Sequence, residues 1–346
     1  MATFWFCAVA VMIAAYVVLD GFDLGAGIAH LFVARAEEER RLVLRSIGPV
    51  WDGNEVWLIA AGGVLYLAFP ALYAASFSGF YLPLIILLWL LMLRGISIEF
   101  RGHLDSTVWR PLWDVVFAGS SALVPIFLGA ALGNVVRGVP LDASGYFFEP
   151  LWTDFSLGPR TGILDWCTMI FGGAAFFTLV VHGSLWVALK TEGAVRDRAR
   201  RLATRGWWGV AVLTVAVTIV AFRVQPLVPA SFGARPWLWV FPALAVAGLA
   251  AIRWYAGRGK DRASFLASCV YVVGMLASAA AGLYPYVLPS RIDPSYGLTV
   301  HNAAAQDYGL TVGLAWWIPG MILVSAYFVF AYRRFAGKVR LEGEGY

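Results

Sequence analysis

Long apolar runs separated by short polar connections dominate this chain. A helix needs about 20 apolar residues to cross the hydrocarbon core of a membrane. Nine stretches meet that length: residues 4–28, 47–69, 77–98, 114–136, 162–189, 207–224, 237–256, 264–288 and 309–332. Runs of this length fit helices and not the alternating strands of a membrane barrel, which have about 9–11 residues. The pattern therefore predicts nine transmembrane helices in one polytopic domain, residues 1–346.

Composition and charge support a membrane protein and orient it. Apolar residues make up 60% of the chain and charged residues only 14%, against about 25% charged in soluble domains. With nine crossings, 21 of the 26 Lys and Arg residues fall on one side. The opposite side holds only Arg137, Arg160, Arg223, Arg235 and Arg291. The positive-inside rule then places the N-terminus outside and the C-terminus in the cytoplasm.

The basic residues are spread over short connections between apolar runs, a distribution typical of membrane-surface anchoring. We therefore expect no nucleic-acid partner, despite a net charge of +5. The most basic connection, residues 190–206, is predicted to be a solvated loop. The second span, residues 47–69, is the least regular of the nine because it carries Asp52 and Glu55.

Acidic residues within the first two spans are the principal candidates for function. A charge near the bilayer centre costs about 2.5–3.5 kcal/mol on insertion scales, so it needs a partner, water or a proton. Asp20 and Asp23 share one face of the first helix, and Asp52 and Glu55 repeat the same spacing in the second. Glu99 lies at the inner end of the third. Neighbouring carboxylates in a low dielectric can hold and pass protons, which suggests a proton path from the cytoplasm.

The same residues have a structural interpretation, which the sequence leaves open. They can cap helix ends or pair with Arg35, Arg45 or Arg94. For the four residues of the first two helices the proton path is the favoured interpretation. For Glu99 the structural interpretation is favoured, because Arg101 is close in sequence and the interface is wet.

Small residues and one tryptophan complete this region. Gly21, Gly25 and Gly27 have the spacing of close helix packing, which we favour over contact with a cofactor. Most of the 16 tryptophans lie near span ends, as in an aromatic belt. Trp57 differs, because it lies within a span beside the acidic pair.

The histidines decide whether the chain ligates its own haem. A bis-histidine site needs two imidazoles at equal depth on facing helices. The four histidines, His30, His103, His182 and His301, do not supply such a pair. We therefore predict no haem ligand in this chain and interpret His182 as a polar residue satisfied within the protein. No spacing of Cys, His or acidic residues indicates another metal site.

Several motifs resemble one membrane-protein family. Residues 19–25 read LDGFDLG, residues 48–58 read GPVWDGNEVWL, and residues 61–63 read AGG. Further matches are residues 77–81, 133–140, 284–290 and 298–303. These segments resemble subunit II of the cytochrome bd quinol oxidases, and the resemblance covers nearly the whole chain.

The resemblance implies a heterodimer in a prokaryotic plasma (inner) membrane. Its subunit I would ligate two b-type haems and haem d, oxidise quinol and reduce dioxygen to water with protons from the cytoplasm. In the family, carboxylates matching Asp23 and Asp52 are implicated in proton transfer, and the tryptophan matching Trp57 lies near an oxygen route. Glu55 stands where some members have Gln. Some members also hold a structural quinone, and small accessory membrane subunits are further partners to consider besides lipid.

The full expectation is an all-α integral membrane protein of two four-helix bundles plus one peripheral helix. Two other functions remain open. A proton-coupled secondary transporter would use the carboxylates to drive substrate movement, and it predicts broken helices and midplane sites in two related halves. A passive assembly scaffold would use them only to neutralise arginines.

Overall fold

The computed structural model describes residues 1–158 and 161–340, which are almost entirely helical. Within this part of the chain the α-helices are α1 (Ala2–Val33), α2 (Glu37–Ile47), α3 (Trp51–Ala68), α4 (Pro70–Gly79), α5 (Tyr81–Phe100), α6 (Trp109–Arg137), α7 (Trp166–Lys190), α8 (Gly193–Val224), α9 (Leu227–Ala234), α10 (Val240–Ala256), α11 (Asp261–Leu283) and α12 (Asp307–Arg334). Two short strands, β1 (Tyr286–Leu288) and β2 (Leu298–Thr299), pair antiparallel. Short 3-10 turns span Pro236–Trp239 and Pro294–Tyr296.

Eight helices of the described chain are long and apolar enough to cross a membrane: α1, α5, α6, α7, α8, α10 with its preceding 3-10 turn, α11 and α12. This is the composition of a multi-pass membrane protein. The predicted number of nine is not confirmed, because α3 does not belong to this set. Its first two turns carry Asp52, Asn54 and Glu55, which lower the hydropathy of an 18-residue helix.

Proline and glycine shift several predicted boundaries. The span predicted for residues 77–98 begins at Tyr81, since α4 ends at Gly79 and the chain turns at Phe80. Pro83 is the third residue of α5, where its missing N–H costs no intrahelical hydrogen bond. The span predicted to end at residue 288 ends at Leu283, before Pro285, because a residue preceding proline disfavours the helical conformation.

The basic segment 190–206 is helical except at residues 191 and 192, so its prediction as a solvated loop was wrong. Helix α8 begins at Gly193 and buries Ala199 and Ala203 against the neighbouring helices. Several of its arginines have acidic partners: Arg196 donates to Asp261 across 2.7 Å, and Arg198 pairs with Glu39. Small residues on one face and paired cations on the other explain why the sequence continues as helix.

Helix α1 is central to the array and packs against α3, α6, α7 and α11. Its closest approach is to α7, where a Cβ added to Gly25 would lie 1.9 Å from the carbonyl oxygen of Leu179. A Cβ added to Gly183 on α7 would in turn lie 2.1 Å from the carbonyl carbon of Gly25. Gly27 is equally close to Ser121 of α6. Helix α12 is peripheral, with only Leu310 and Gly313 buried.

The two ends of the helix array differ. At the N-terminal end, which holds Trp5, the connection from α6 to α7 folds over the helices with the β1–β2 segment. Arg137 is buried there and binds Glu149 at 2.7 Å and also Asp165. Arg160, predicted to lie on the same side, is outside the described residues. The C-terminal end holds His30 and residues 335–340.

Candidate functional site

Two buried carboxylates on α1 form the centre of the candidate site. Asp20 and Asp23 are both 0% exposed. Asp20 Oδ1 accepts a hydrogen bond from Arg94 at 2.6 Å, and Asp23 Oδ2 accepts one from Asn54 Nδ2 at 2.7 Å. Because α1 is surrounded by other helices, both carboxylates lie in the protein interior and do not face lipid.

Arg94 of α5 connects these carboxylates to the second acidic pair. Its side chain is completely buried, and while one terminal nitrogen binds Asp20, the other donates to Glu55 Oε1 at 2.7 Å. The Glu55 side chain is 24% exposed. Charge-assisted bonds of this length are among the stronger polar contacts in proteins. The guanidinium therefore joins a buried carboxylate on α1 to a partly exposed one on α3.

Asn54 is a residue that the sequence interpretation missed. It is fully buried, donates to Asp23 and accepts a hydrogen bond from Tyr332 Oη of α12 at 2.9 Å. The buried residues of α3 are Asn54, Ala61 and Ala68, which recur every seven positions. This seven-residue spacing could have identified Asn54 from the sequence, because Asn54 is the one polar residue on a helix face that otherwise carries alanines.

Two predicted site residues lie apart from the buried cluster. Asp52 is exposed in the first turn of α3, and Glu99 is exposed in the last turn of α5. Trp57 is half-buried, with its ring 5.7 Å from that of Phe328 on α12. The structure thus brings Asp20, Asp23 and Glu55 together. It leaves Asp52 and Glu99 at the surface of the chain and Trp57 half-buried.

The cluster combines one positive charge with three carboxyl groups. Asp20 Oδ2 and Asp23 Oδ1 are buried, and the Tyr16 hydroxyl interacts with the Asp20 carboxylate. Asp23 Oδ1 accepts no hydrogen bond from any described residue, so a proton can bind there without displacing an existing contact. If every carboxyl group were ionised, Arg94 would leave two negative charges uncompensated, an expensive state within a membrane. The cluster can therefore exchange protons as part of its charge balance.

A second ionic cluster lies nearer the C-terminal end and surrounds Asp114 of α6. Asp114 accepts from His30 at 2.6 Å, from Arg40 at 2.7 Å and from Arg101 at 2.6 Å. Arg101 also donates two hydrogen bonds to Glu37 and holds the pKa of that carboxyl below its usual range. These saturated contacts hold α1, α2, α5 and α6 together and indicate a structural role.

The histidines do not fit haem ligation. His182 is fully buried and bonded at both nitrogens, to Ser268 Oγ at 2.7 Å and to the Val18 carbonyl at 2.9 Å. It also stacks on Phe265. His30 is bonded to Asp114, and His103 contacts the carbonyl of its own helix at residue 99. Among the described residues, the buried imidazoles do not form a facing pair that could hold an iron.

Comparison with known proteins decides the family. The family model described as "Cytochrome bd terminal oxidase subunit II" matches residues 1–335. The chain belongs to the cytochrome bd subunit II family. It is therefore a subunit of a terminal oxidase, an oxidoreductase complex, as its sequence motifs suggested.

Curated relatives named as oxidase subunits match most of the chain. The "Cytochrome bd ubiquinol oxidase subunit 2" of Bacillus subtilis is 34% identical, over 89% of this subunit II and 88% of its own length. The "Probable cytochrome oxidase subunit 2" of Haemophilus influenzae is 30% identical over 97% and 94%. A chain of the bd oxidase structure from Geobacillus thermodenitrificans superposes with a TM-score of 0.74 at 17% identity, over 96% and 98%. This last comparison supports the fold alone.

Proposed function

We propose that this subunit II pairs with a haem-bearing subunit I and forms part of its proton supply. Subunit I would hold the two b-type haems and haem d and react quinol with dioxygen in a prokaryotic plasma (inner) membrane. Relatives named as ubiquinol oxidase subunits support the quinol substrate. The internally bonded histidines support haem ligation by the partner. The observation that carries the proposal is the buried group of Asp20, Asp23 and Arg94, open to the surface through Glu55.

The proposed topology has nine crossings, with α3 as the ninth. At about 1.5 Å per residue, its 18 residues are about 27 Å long, close to the hydrocarbon thickness. Its exposed side chains include Ile59 and Tyr66, at 75% and 64% exposure, which suit lipid or an apolar partner. The N-terminus would lie outside and the C-terminus in the cytoplasm. The proposed grouping is two four-helix bundles with one peripheral helix, for which α12 is the best candidate.

The proton path would begin at the exposed carboxylates of the C-terminal end and continue inward. Asp52 and Glu99 would collect protons at the surface, and Glu55 would exchange with them because it is partly exposed. Arg94 links Glu55 to Asp20 through two short hydrogen bonds. The guanidinium does not itself release a proton, so its role is to hold the carboxyl groups and compensate their charge. Asp20 and Asp23 would bind the proton, Asp23 at its unpaired Oδ1.

Trp57 is proposed to border an oxygen route along α3 and α12. It lies half-buried against Phe328, and the neighbouring side chains Val56 and Ile59 are apolar and exposed. Dioxygen is apolar and dissolves well in such surroundings. A small, weakly polar passage beside the proton cluster would admit it without providing a second path for protons.

A passive scaffold is the second candidate function, and the Arg94 contacts favour it specifically. Paired carboxylates need no proton to be stable, so Asp20 and Glu55 could serve assembly alone. A substitution at Asp23 distinguishes the two functions. Asp23 lies in the same cluster, but its partner is the neutral amide of Asn54, so it does not neutralise an arginine. The secondary-transporter alternative gains no support, since the family is that of terminal oxidase subunits.

The test replaces Asp23 by Asn in the intact oxidase complex. We expect haem content and subunit composition to be retained while quinol-driven oxygen uptake falls, because the isosteric amide cannot carry a proton. Asp105→Asn is the matched control, since Asp105 is 89% exposed and pairs only at the surface. Full oxygen uptake with normal haem content in Asp23→Asn would contradict the proton role. Loss of haem together with activity would favour the scaffold.

A further inference from the structure

A large cavity opens at the C-terminal end, away from the carboxylate cluster. It has a volume of about 1090 Å³ and lies between the α2–α3 turn, the end of α7, the start of α11 and the chain after α12. The described residues that line it include no acidic residue and six basic ones, which are Arg45, Lys190, Arg262, Arg334, Lys338 and Arg340.

Two carboxylates, Asp261 and Glu192, act on the lining residue Lys338 from outside the cavity lining. Asp261 lies next to the lining residue Arg262, but it is bound by Arg196 and Arg200, at 2.7 Å each. These two arginines compensate much of its charge. Arg262 and Arg334 are both exposed at the cavity wall. The described cavity thus carries a strong excess of positive charge.

Two lysines of the cavity are fixed in place by the backbone. Lys190 is buried and donates to the Gly337 carbonyl at 3.2 Å, and its ammonium lies 5.2 Å from the ring centre of Trp186. Lys338 donates to the Thr191 carbonyl at 2.8 Å. Burial and the nearby charge of Arg196 lower the pKa of Lys338, so a neighbouring anion would stabilise its charged form. The lysines are prearranged, whereas the two exposed arginines are available to a ligand.

Apolar surface lies directly beside these cations. Leu266 and Phe335 line the cavity and are 52% and 46% exposed, and Trp186 and Phe265 form buried parts of its wall. A free phosphate ion makes no apolar contacts with this surface. A phospholipid contacts both parts of the cavity, because its phosphate binds the cations while its glycerol and acyl portions cover the apolar side chains. The position at the end of the membrane helices fits such a ligand.

We propose that this cavity binds the phosphate group of an anionic phospholipid, with Arg262 and Arg334 as its principal contacts. The recognised chemistry is a phosphate-bearing anion, and a membrane lipid is the source that the apolar wall favours. The site lies at the face that the proposed topology places in the cytoplasm, but binding does not depend on the proton path. Failure of that path would therefore leave this inference intact.

The experiment uses the purified oxidase complex, delipidated and reconstituted in nanodiscs of phosphatidylcholine with or without phosphatidylglycerol. Native mass spectrometry after release counts the phosphatidylglycerol that stays bound. We expect the double variant Arg262→Gln/Arg334→Gln to lower its affinity about thirtyfold, from the loss of two cations at the lipid surface. The control Arg41→Gln/Arg201→Gln removes two exposed cations outside the cavity and should bind like the unmodified complex. Arg262→Lys/Arg334→Lys keeps the charge and should retain binding.

The outcomes separate the two sources of phosphate. Retained phosphatidylglycerol that inorganic phosphate does not displace supports the lipid headgroup. Displacement by inorganic phosphate, with the same dependence on Arg262 and Arg334, supports the anion site with a soluble ligand as its source. Equal retention by the Gln variant and its control, or no retention by the unmodified complex, would overturn the proposal. Haem spectra and subunit content of each variant identify any preparation that has lost its fold.

Discussion

Arg94 is the residue whose removal should most directly test the buried cluster. Arg94→Gln keeps a polar side chain but takes away the only positive charge bonded to Asp20 in the described chain. Glu55 loses the same partner. Asp20 is completely buried and cannot recruit bulk water, whereas Glu55 is partly exposed and can. The variant should therefore be destabilised mainly through Asp20.

The magnitude follows from that difference in burial. Breaking a buried ion pair by removing one partner costs about 3–5 kcal/mol. The contact with partly exposed Glu55 contributes at the level of a surface pair, about 0–1 kcal/mol. Adding Asp20→Asn removes the stranded charge, so the double variant should be more stable than Arg94→Gln alone. We expect a coupling energy between Arg94 and Asp20 of about 2–3 kcal/mol, the upper part of the range for contacting residues.

The assay is a double-mutant cycle on the purified complex in mixed micelles. Unfolding by SDS is followed by tryptophan fluorescence, for which the 16 tryptophans of this chain give ample signal. Arg110→Gln is the control, because Arg110 pairs with Asp105 at the surface, and it should cost less than about 1 kcal/mol. Two results would show that this ion pair does not stabilise the cluster. One is that Arg94→Gln lowers the free energy of unfolding no more than this control does. The other is that adding Asp20→Asn restores none of the stability that Arg94→Gln has lost.

Three further predictions concern other contacts of the chain. Arg198→Gln should destabilise the complex at neutral pH but progressively less in acid, as measured by thermal unfolding from pH 7 to pH 3. The hydrogen bond from Arg198, together with those from the backbone N–H groups of Arg35 and Ala36, lowers the pKa of Glu39 from 4.5 to about 2. The part due to Arg198 is therefore fully present above pH 4.5 and is lost as the pH falls towards 2. Gly25→Ala should lower the yield and thermal stability of the complex by at least the cost of overpacking, about 1–3 kcal/mol, because its Cβ would overlap a carbonyl oxygen of α7. Tyr332→Phe should cost about 1–3 kcal/mol in SDS unfolding, because Asn54 Oδ1 loses the donor that the structure gives it.

Each of these three predictions has an outcome that would contradict it, and two of them have a matched control variant. A pH-independent difference between Arg198→Gln and the unmodified complex would contradict the assignment to Glu39. Gly62→Ala is the control for the helix contact, because nothing lies within 4 Å of a Cβ added at Gly62; equal effects of the two alanines would refute the packing argument. Tyr327→Phe removes a hydroxyl from an exposed position of α12, and it should leave stability unchanged where Tyr332→Phe lowers it.

The sequence predicted the helical class and the meeting of the first two acidic helices, because both follow from local patterns. The length of an apolar run identifies a membrane span directly. A carboxylate within such a run requires a partner, however the helices are arranged. The interior position of Asp20 and Asp23 is consistent with that requirement. Their partners depend on how helices rotate about their axes, which no local pattern gives.

The errors in the predicted site also arose because the rotation of each helix about its axis does not follow from local sequence. Asp52 and Glu55 are three residues apart, and that spacing predicts that both lie on one face of their helix. In the structure the inner face of α3 is centred on Asn54, so Glu55 reaches Arg94 at the side and Asp52 points outward. Arg94 was considered only as one of three arginine partners. Its central position results from the packing of α5 beside α1 and α3, which involves contacts far apart in sequence.

The loose attachment of α12 has a consequence for biogenesis. This helix follows the other described helices along the chain, and outside its first two turns none of its residues is buried in the described chain. Apolar side chains gain little by leaving lipid for one another, so α12 has a weak drive to dock on its own. We expect a nascent chain to assemble the earlier helices around α1 first and to acquire α12 afterwards. Tyr332 would then reach Asn54 as one of the final steps in maturation.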